Sequence, residues 1–192
     1  MLTVLLGYLA GSVPFAFLLA RRAGVDVRVT GSGNVGAANV FRTAGARRAT
    51  LVMILDIAKG ALAVTLAFLM NASVPMTAAT GAAAVLGHVY PVWLRFHGGK
   101  GVAVAAGVFA VLSPIGTLAA LSVFLVLVTM TRYVSLGSVA ATLALPPAAW
   151  LTAAPGVVVA TTVGVAALIV FRHRTNLSRL RAGTERRIGV PA

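Results

Sequence analysis

The chain has 192 residues, of which 59% are hydrophobic and 10% charged, with a mean hydropathy of +0.98. A soluble core of that size cannot hide so much apolar surface, so a soluble enzyme is excluded and most of the chain must face lipid. The formal net charge of +13 does not indicate a nucleic-acid binder, because the arginines stand between apolar runs rather than among polar residues; the absence of cysteine excludes a disulfide, a thiolate nucleophile and a cysteine metal site.

The first apolar run, Leu2–Ala20, has the length of a membrane span. It lacks a basic segment before it, and its arginines follow it, so it is not read as a signal peptide. Next comes "GSGNVGAANVFR", Gly31 to Arg42. Gly31, Gly33 and Gly36 spell the dinucleotide fingerprint, but no strand or βαβ unit surrounds them, and the acid at the right distance, Asp56, lies inside an apolar run. A Walker A loop is excluded because Ala37 and Ala38 follow Gly36. What remains is an anion nest: glycines turn backbone N–H groups towards a ligand, and a helix starting near Asn34 aims its dipole at it. On that helix Asn39 and Arg42 share a face at i, i+3.

The second and third runs are Thr50–Met70 and Pro75–Leu94. Asp56 and Lys59, at i, i+3 in the second, are read as an internal ion pair. The third ends in "GHVYPVWLRFHGGKGVA", where Lys100 stands among Gly98, Gly99 and Gly101, again the composition of an anion nest. His88 lies within or near the end of that run and is either a buried partner of a neighbouring helix or a site residue. Val102–Leu112 follows. At about 1.5 Å per residue it is too short to span, so it is predicted to enter from a loop already sunk in protein. Ser113–Thr131, Val134–Thr152 and Gly156–Phe171 complete seven predicted transmembrane helices, one of them short, in an all-α, polytopic integral membrane protein forming a single domain over residues 1–192.

The connections at 71–75, 113–116 and 153–156 carry no charge, whereas every arginine falls on the opposite side. The positive-inside rule therefore places the N-terminus outside and the C-terminus in the cytoplasm. The acids (Asp26, Asp56, Glu185), the histidines (His88, His97, His173) and Lys59 and Lys100 gather around three segments on the cytoplasmic side. In the last of these, "FRHRTNLSRLRAGTERR", His173 and Asn176 share a helix face continuing from the final span, and Glu185 is placed to orient a cation. Three arginines beside His173 favour a neutral imidazole. The histidines lie at different depths and no carboxylate cluster exists, so neither a metal nor a cofactor is expected. The sum is a cationic, glycine-rich pocket suited to more than one phosphate group. A transporter of an organic phosphate would need the same pocket, but no inverted repeat or polar path to the uncharged side is visible.

Three motifs in order, "GSGNVGAANVFRTAG", "GHVYPVWLRFHGGKGVA" and "RHRTNLSRLRAGTE", with "DIAKGA" between the first two, resemble the bacterial acyl-phosphate:glycerol-3-phosphate acyltransferases over nearly the whole chain. The resemblance implies a seven-helix inner-membrane enzyme with its site on the cytoplasmic face. Such an enzyme moves an acyl chain from acyl phosphate to the 1-hydroxyl of sn-glycerol 3-phosphate, giving lysophosphatidic acid and phosphate. It further implies that Ser32, Arg42, Lys100 and His173 bind glycerol 3-phosphate at the catalytic centre. Backbone at Gly33–Gly36 and Gly99–Gly101 would hold the acyl-phosphate phosphoryl group, Asn39 and Asn176 would support it, and Glu185 would anchor the tail. Ala38 and Val104 stand where the family pattern has threonines. The expected partners are these two small substrates, membrane lipid, no nucleic acid, and a soluble enzyme supplying acyl phosphate by transient contact. A monomer is expected.

Overall fold

A computed structural model describes residues 1–189, and every regular element among them is helical. The α-helices are α1 (Leu2–Ser12), α2 (Phe15–Arg21), α3 (Ala37–Ala44), α4 (Ala46–Leu69), α5 (Val74–Val89), α6 (Val102–Leu112), α7 (Pro114–Thr131), α8 (Val134–Leu151), α9 (Gly156–Arg172) and α10 (Arg174–Arg181), with a 3₁₀ turn at Val92–Leu94. They fall into two compact units, residues 1–111 and residues from 112 onward.

Four stretches are long and apolar enough to cross a membrane: Leu2–Arg21, Ala46–Leu69, Pro114–Thr131 and Val134–Leu151. Counting α9 and α10 as one bent span makes five. α5, with 16 residues, and α6, with 11, fall short of a full crossing by length. Seven spans therefore go beyond what helix length alone supports.

Three boundaries differ from expectation for local reasons. The first span is broken at Val13–Pro14, because proline has no N–H to give the Ala10 carbonyl and pushes Val13 into extended backbone (φ −59, ψ 116). The third run stops as a helix at Val89, and Pro91 turns the chain into the 3₁₀ segment. The last span does not continue straight into the tail but bends by 57° at His173, whose N–H is shared between the Ile169 and Val170 carbonyls.

In the first unit α1 lies against α5 at backbone distance. A Cβ added to Gly11 would sit 2.0 Å from the Ala84 carbonyl oxygen, and one on Gly87 2.1 Å from that of Tyr8. Small residues substitute for a hydrophobic driving force between helices in lipid by allowing this approach. The same unit has a cluster that pins the glycine loop from beneath: Ala16 and Ala20 of α2, Val27 and Val35 of the loop, Val40 of α3, Ala49 and Val52 of α4, and Leu94. In the second unit α8 packs on both α7 and α9.

Candidate functional site

The glycine loop is shaped by one buried amide. Asn39, 1% exposed, accepts the Ser32 N–H at 2.9 Å through Oδ1 and donates through Nδ2 to the carbonyls of Val27 and Thr30, each at 3.0 Å. Its carbonyl and both amide protons are thus spent on loop backbone. Asn39 therefore positions the loop, whereas the family resemblance implied a supporting donor to the ligand. Gly31 and Gly33 take positive φ (68° and 69°), and a Cβ on Gly31 would collide with the Asn39 side chain.

The helix behind the loop starts at Ala37, three residues later than expected near Asn34, with extended Gly36 (φ −154) as its cap. The delay has a cause: Asn34 and Val35 are drawn down by the burial of Val35 in the apolar cluster. The Ser32 and Gly33 amides are consumed inside the loop, by Asn39 and by the Thr30 carbonyl. Those from Asn34 to Ala38 make no hydrogen bond among the described residues. They form a run of donors at a helix N-terminus, the backbone arrangement that holds a phosphate. Ser32 and Arg42 are exposed beside it, and Asn34 is half-buried.

The Gly98–Gly101 turn needs a correction of the same kind. The Gly98 N–H donates to the Val89 carbonyl and the Gly99 N–H to the His88 carbonyl, both at 3.1 Å. These buried glycines contribute closeness rather than donors: a Cβ on Gly99 would lie 2.1 Å from His88 Nε2 and 2.8 Å from the Val35 carbonyl oxygen. Phosphate donors on this turn would come from Lys100 onward, where Gly101 (φ 92) opens α6. Because Val35 touches Gly99, the structure joins the first two motifs into one site. Lys100 is half-buried there.

Beneath this junction lie Asp56, Lys59 and His88, all buried. Lys59 Nζ is 2.8 Å from Asp56 Oδ1, a close ion pair whose approach is not aligned as a hydrogen bond. The expected pair is present, but Lys59 also donates to the Val13 carbonyl, 2.9 Å away in the break between α1 and α2, and lies 3.1 Å from His88 Nδ1. Sequence spacing shows the i, i+3 pair; the partners 46 and 29 residues away are invisible to it.

The third motif lies in the second unit. His173 is 2% exposed, and its Nδ1 meets the Ile169 carbonyl at 2.8 Å. A carbonyl only accepts, so Nδ1 carries the proton and Nε2 is the nitrogen able to accept one. Glu185 is also buried. Its Oε1 accepts from Ser135 at 2.8 Å and from Asn176 Nδ2, and its Oε2 accepts from Arg179 Nε at 2.7 Å. Burial alone would raise this carboxyl, but the hydrogen bonds from Asn176, Arg179 and Ser135 outweigh it and hold it below the usual value. Glu185 does orient a cation, as its placement suggested. Ser135, fifty residues upstream at the start of α8, was not foreseeable. Among the described residues no set of three His, Asp or Glu side chains gathers into a metal site.

The family profile described as glycerol-3-phosphate acyltransferase matches residues 1–183. A glycerol-3-phosphate acyltransferase of Geotalea daltonii is 50% identical over 178 residues, covering 93% of this chain and 92% of its own. One from Myxococcus xanthus is 49% identical, covering 96% and 97%. Two crystal structures of PlsY, an integral membrane glycerol 3-phosphate acyltransferase, superpose closely. Its glycerol 3-phosphate form has a TM-score of 0.94 at 41% identity, and its lysophosphatidic acid form 0.91 at 40%. Each covers 98% of this chain and 94% of the other.

Proposed function

This chain belongs to the glycerol-3-phosphate acyltransferase family, and from that premise we propose that it transfers a fatty acyl group from acyl phosphate to the 1-hydroxyl of sn-glycerol 3-phosphate, releasing inorganic phosphate. One observation carries the choice of donor. The amides of Asn34–Ala38, without a hydrogen bond among the described residues, form a run of donors at the start of α3, an arrangement that suits the phosphoryl group of an acyl phosphate. In this reading the backbone nests hold the acyl-phosphate phosphoryl group, while Ser32, Arg42, Lys100 and His173 bind glycerol 3-phosphate. Asn176 acts as a supporting donor oriented by Glu185.

The phosphoryl oxygens gain basicity as phosphate leaves and can take the proton of the attacking hydroxyl. The protein then has to position the substrates and neutralise charge. His173, with Nε2 as its accepting nitrogen, is the competing base. The reading includes a single domain with seven spans, its N-terminus outside and its site on the cytoplasmic face of the bacterial inner membrane. It works as a monomer, needs no cofactor, and meets a soluble acyl-phosphate-producing enzyme transiently.

Incubating purified protein with palmitoyl phosphate and glycerol 3-phosphate should release phosphate and yield lysophosphatidic acid, in the presence of EDTA as well. Efficient product formation from acyl-CoA would overturn the reading. A His173→Asn variant that retains substantial turnover favours the substrate-assisted route over a histidine base.

A further inference from the structure

A charged lysine buried inside a membrane-spanning helix is expensive and calls for a reason. Lys59 sits in the middle of α4, 5% exposed, and is gathered into a group that no step above uses. Its ammonium has donors only: it is ion-paired with Asp56 Oδ1 at 2.8 Å, donates to the Val13 carbonyl at 2.9 Å and lies 3.1 Å from His88 Nδ1. Asp56 Oδ1 lies farther from His88 Nδ1, at 3.6 Å, so the lysine is the nearer partner of the imidazole. Nδ1 must then accept, and the ring's proton sits on Nε2. His88 lines a cavity of about 10 Å³ together with Val35, Gly98, Gly99, Asp56 and Lys59. Gly99 is so close to Nε2 that no larger residue fits.

We propose that Asp56, Lys59 and His88 are positioning residues for the Gly98–Lys100 turn. Lys59, clamped between Asp56 and the carbonyl exposed at the Pro14 break, fixes His88 as the neutral Nε2–H tautomer. The ring so fixed sets the place of Gly99 and, through it, of the phosphate-facing amides that follow. The break in the first helix thereby has a use: it supplies the backbone acceptor that holds the lysine in place. The inference rests on the acyl-phosphate reading only for which substrate is affected.

The test uses the full-length enzyme labelled with ¹⁵N-histidine, the His88 signal being assigned by its loss in His88→Gln. The wild-type ring should show Nε2 protonated and Nδ1 accepting. The double variant Asp56→Asn/Lys59→Met removes both charges together, which spares the fold the cost of one buried unpaired ion. It should give a mixture of tautomers and raise KM for acyl phosphate about tenfold, the effect of one lost charge-assisted hydrogen bond. KM for glycerol 3-phosphate and the thermal midpoint should stay near wild type. An Nδ1–H or doubly protonated ring in the wild type would overturn the proposal, as would an unchanged KM for acyl phosphate in the double variant. If the wild type releases no phosphate at all, the functional reading fails, while the tautomer of His88 still decides this proposal.

Discussion

The glycine loop and the C-terminal tail are each held by one buried polar side chain with three partners, but the two anchors differ in charge. Asn39 holds the loop as a neutral amide, accepting one backbone N–H and donating to two carbonyls. Glu185 holds the tail as a carboxylate that accepts from Ser135, Asn176 and Arg179. In the proposed function the loop must keep its shape while anions come and go, and a neutral anchor adds no field of its own to repel them. The tail is rich in arginine, and a carboxylate there orients one cation and offsets part of the repulsion among the rest.

The largest expected effect breaks the neutral anchor. Asn39→Ala leaves the Ser32 N–H and two carbonyls without partners, at about 1–3 kcal/mol for each group that stays buried. Steady-state kinetics should show a fall in kcat/KM on the order of 100-fold or more. A variant within a few-fold of wild type would mean that water replaces the amide and that Asn39 is no anchor. Lys100→Ala, which removes a cation and leaves the loop intact, should cost about 10- to 150-fold. Arg42→Lys should lower activity too, because a planar fork becomes a point charge. Arg132→Ala should stay near wild type, and equal losses in all three would indicate misfolding instead.

Glu185→Gln comes next. It keeps an acceptor for Ser135 but removes the charge facing Arg179, for a loss of about tenfold at most, since Arg179 is partly exposed to solvent. The pH response separates the two anchors without mutation. The folded-state pKa of Glu185 is depressed, so its stabilisation is present above the ordinary glutamate value near 4.3 and is lost as pH falls through the lower folded value. Hydrogen exchange should therefore show the Ile188 amide, which bonds the Arg132 carbonyl, losing protection below about pH 4, while the Ser32 amide keeps its own. Parallel loss at both would erase the distinction. The smallest effect belongs to the exposed Asp26–Arg28 pair. It holds the Asp26 carboxyl down to about 2 through hydrogen bonds from Arg28, yet Asp26→Asn should change activity by less than about twofold because solvent screens the pair.

Much of the candidate site was legible residue by residue. Glycine and lysine among apolar runs are conspicuous because polar groups are costly in lipid, so Gly31–Arg42, Gly98–Gly101 and His173–Glu185 stand out without any fold. Which amides in those motifs point outward was not legible. Gly98 and Gly99 spend theirs on the carbonyls of Val89 and His88, and Ser32 spends its own on Asn39, through contacts that local pattern does not record.

The sequence by itself determined the solvent, the helical class, the family and the roster of polar residues, because burial cost and periodicity are properties of composition and spacing. Only the tertiary structure decided that the Val13 carbonyl exposed at the Pro14 break receives Lys59. It alone decided that His88 backs Gly99, and that Ser135 completes the cradle of Glu185. The physical reason is range. Each of these contacts joins groups 11 to 50 residues apart in the chain, and a hydrogen bond is set by the position of both partners to within a few tenths of an ångström, which only the packed helices supply.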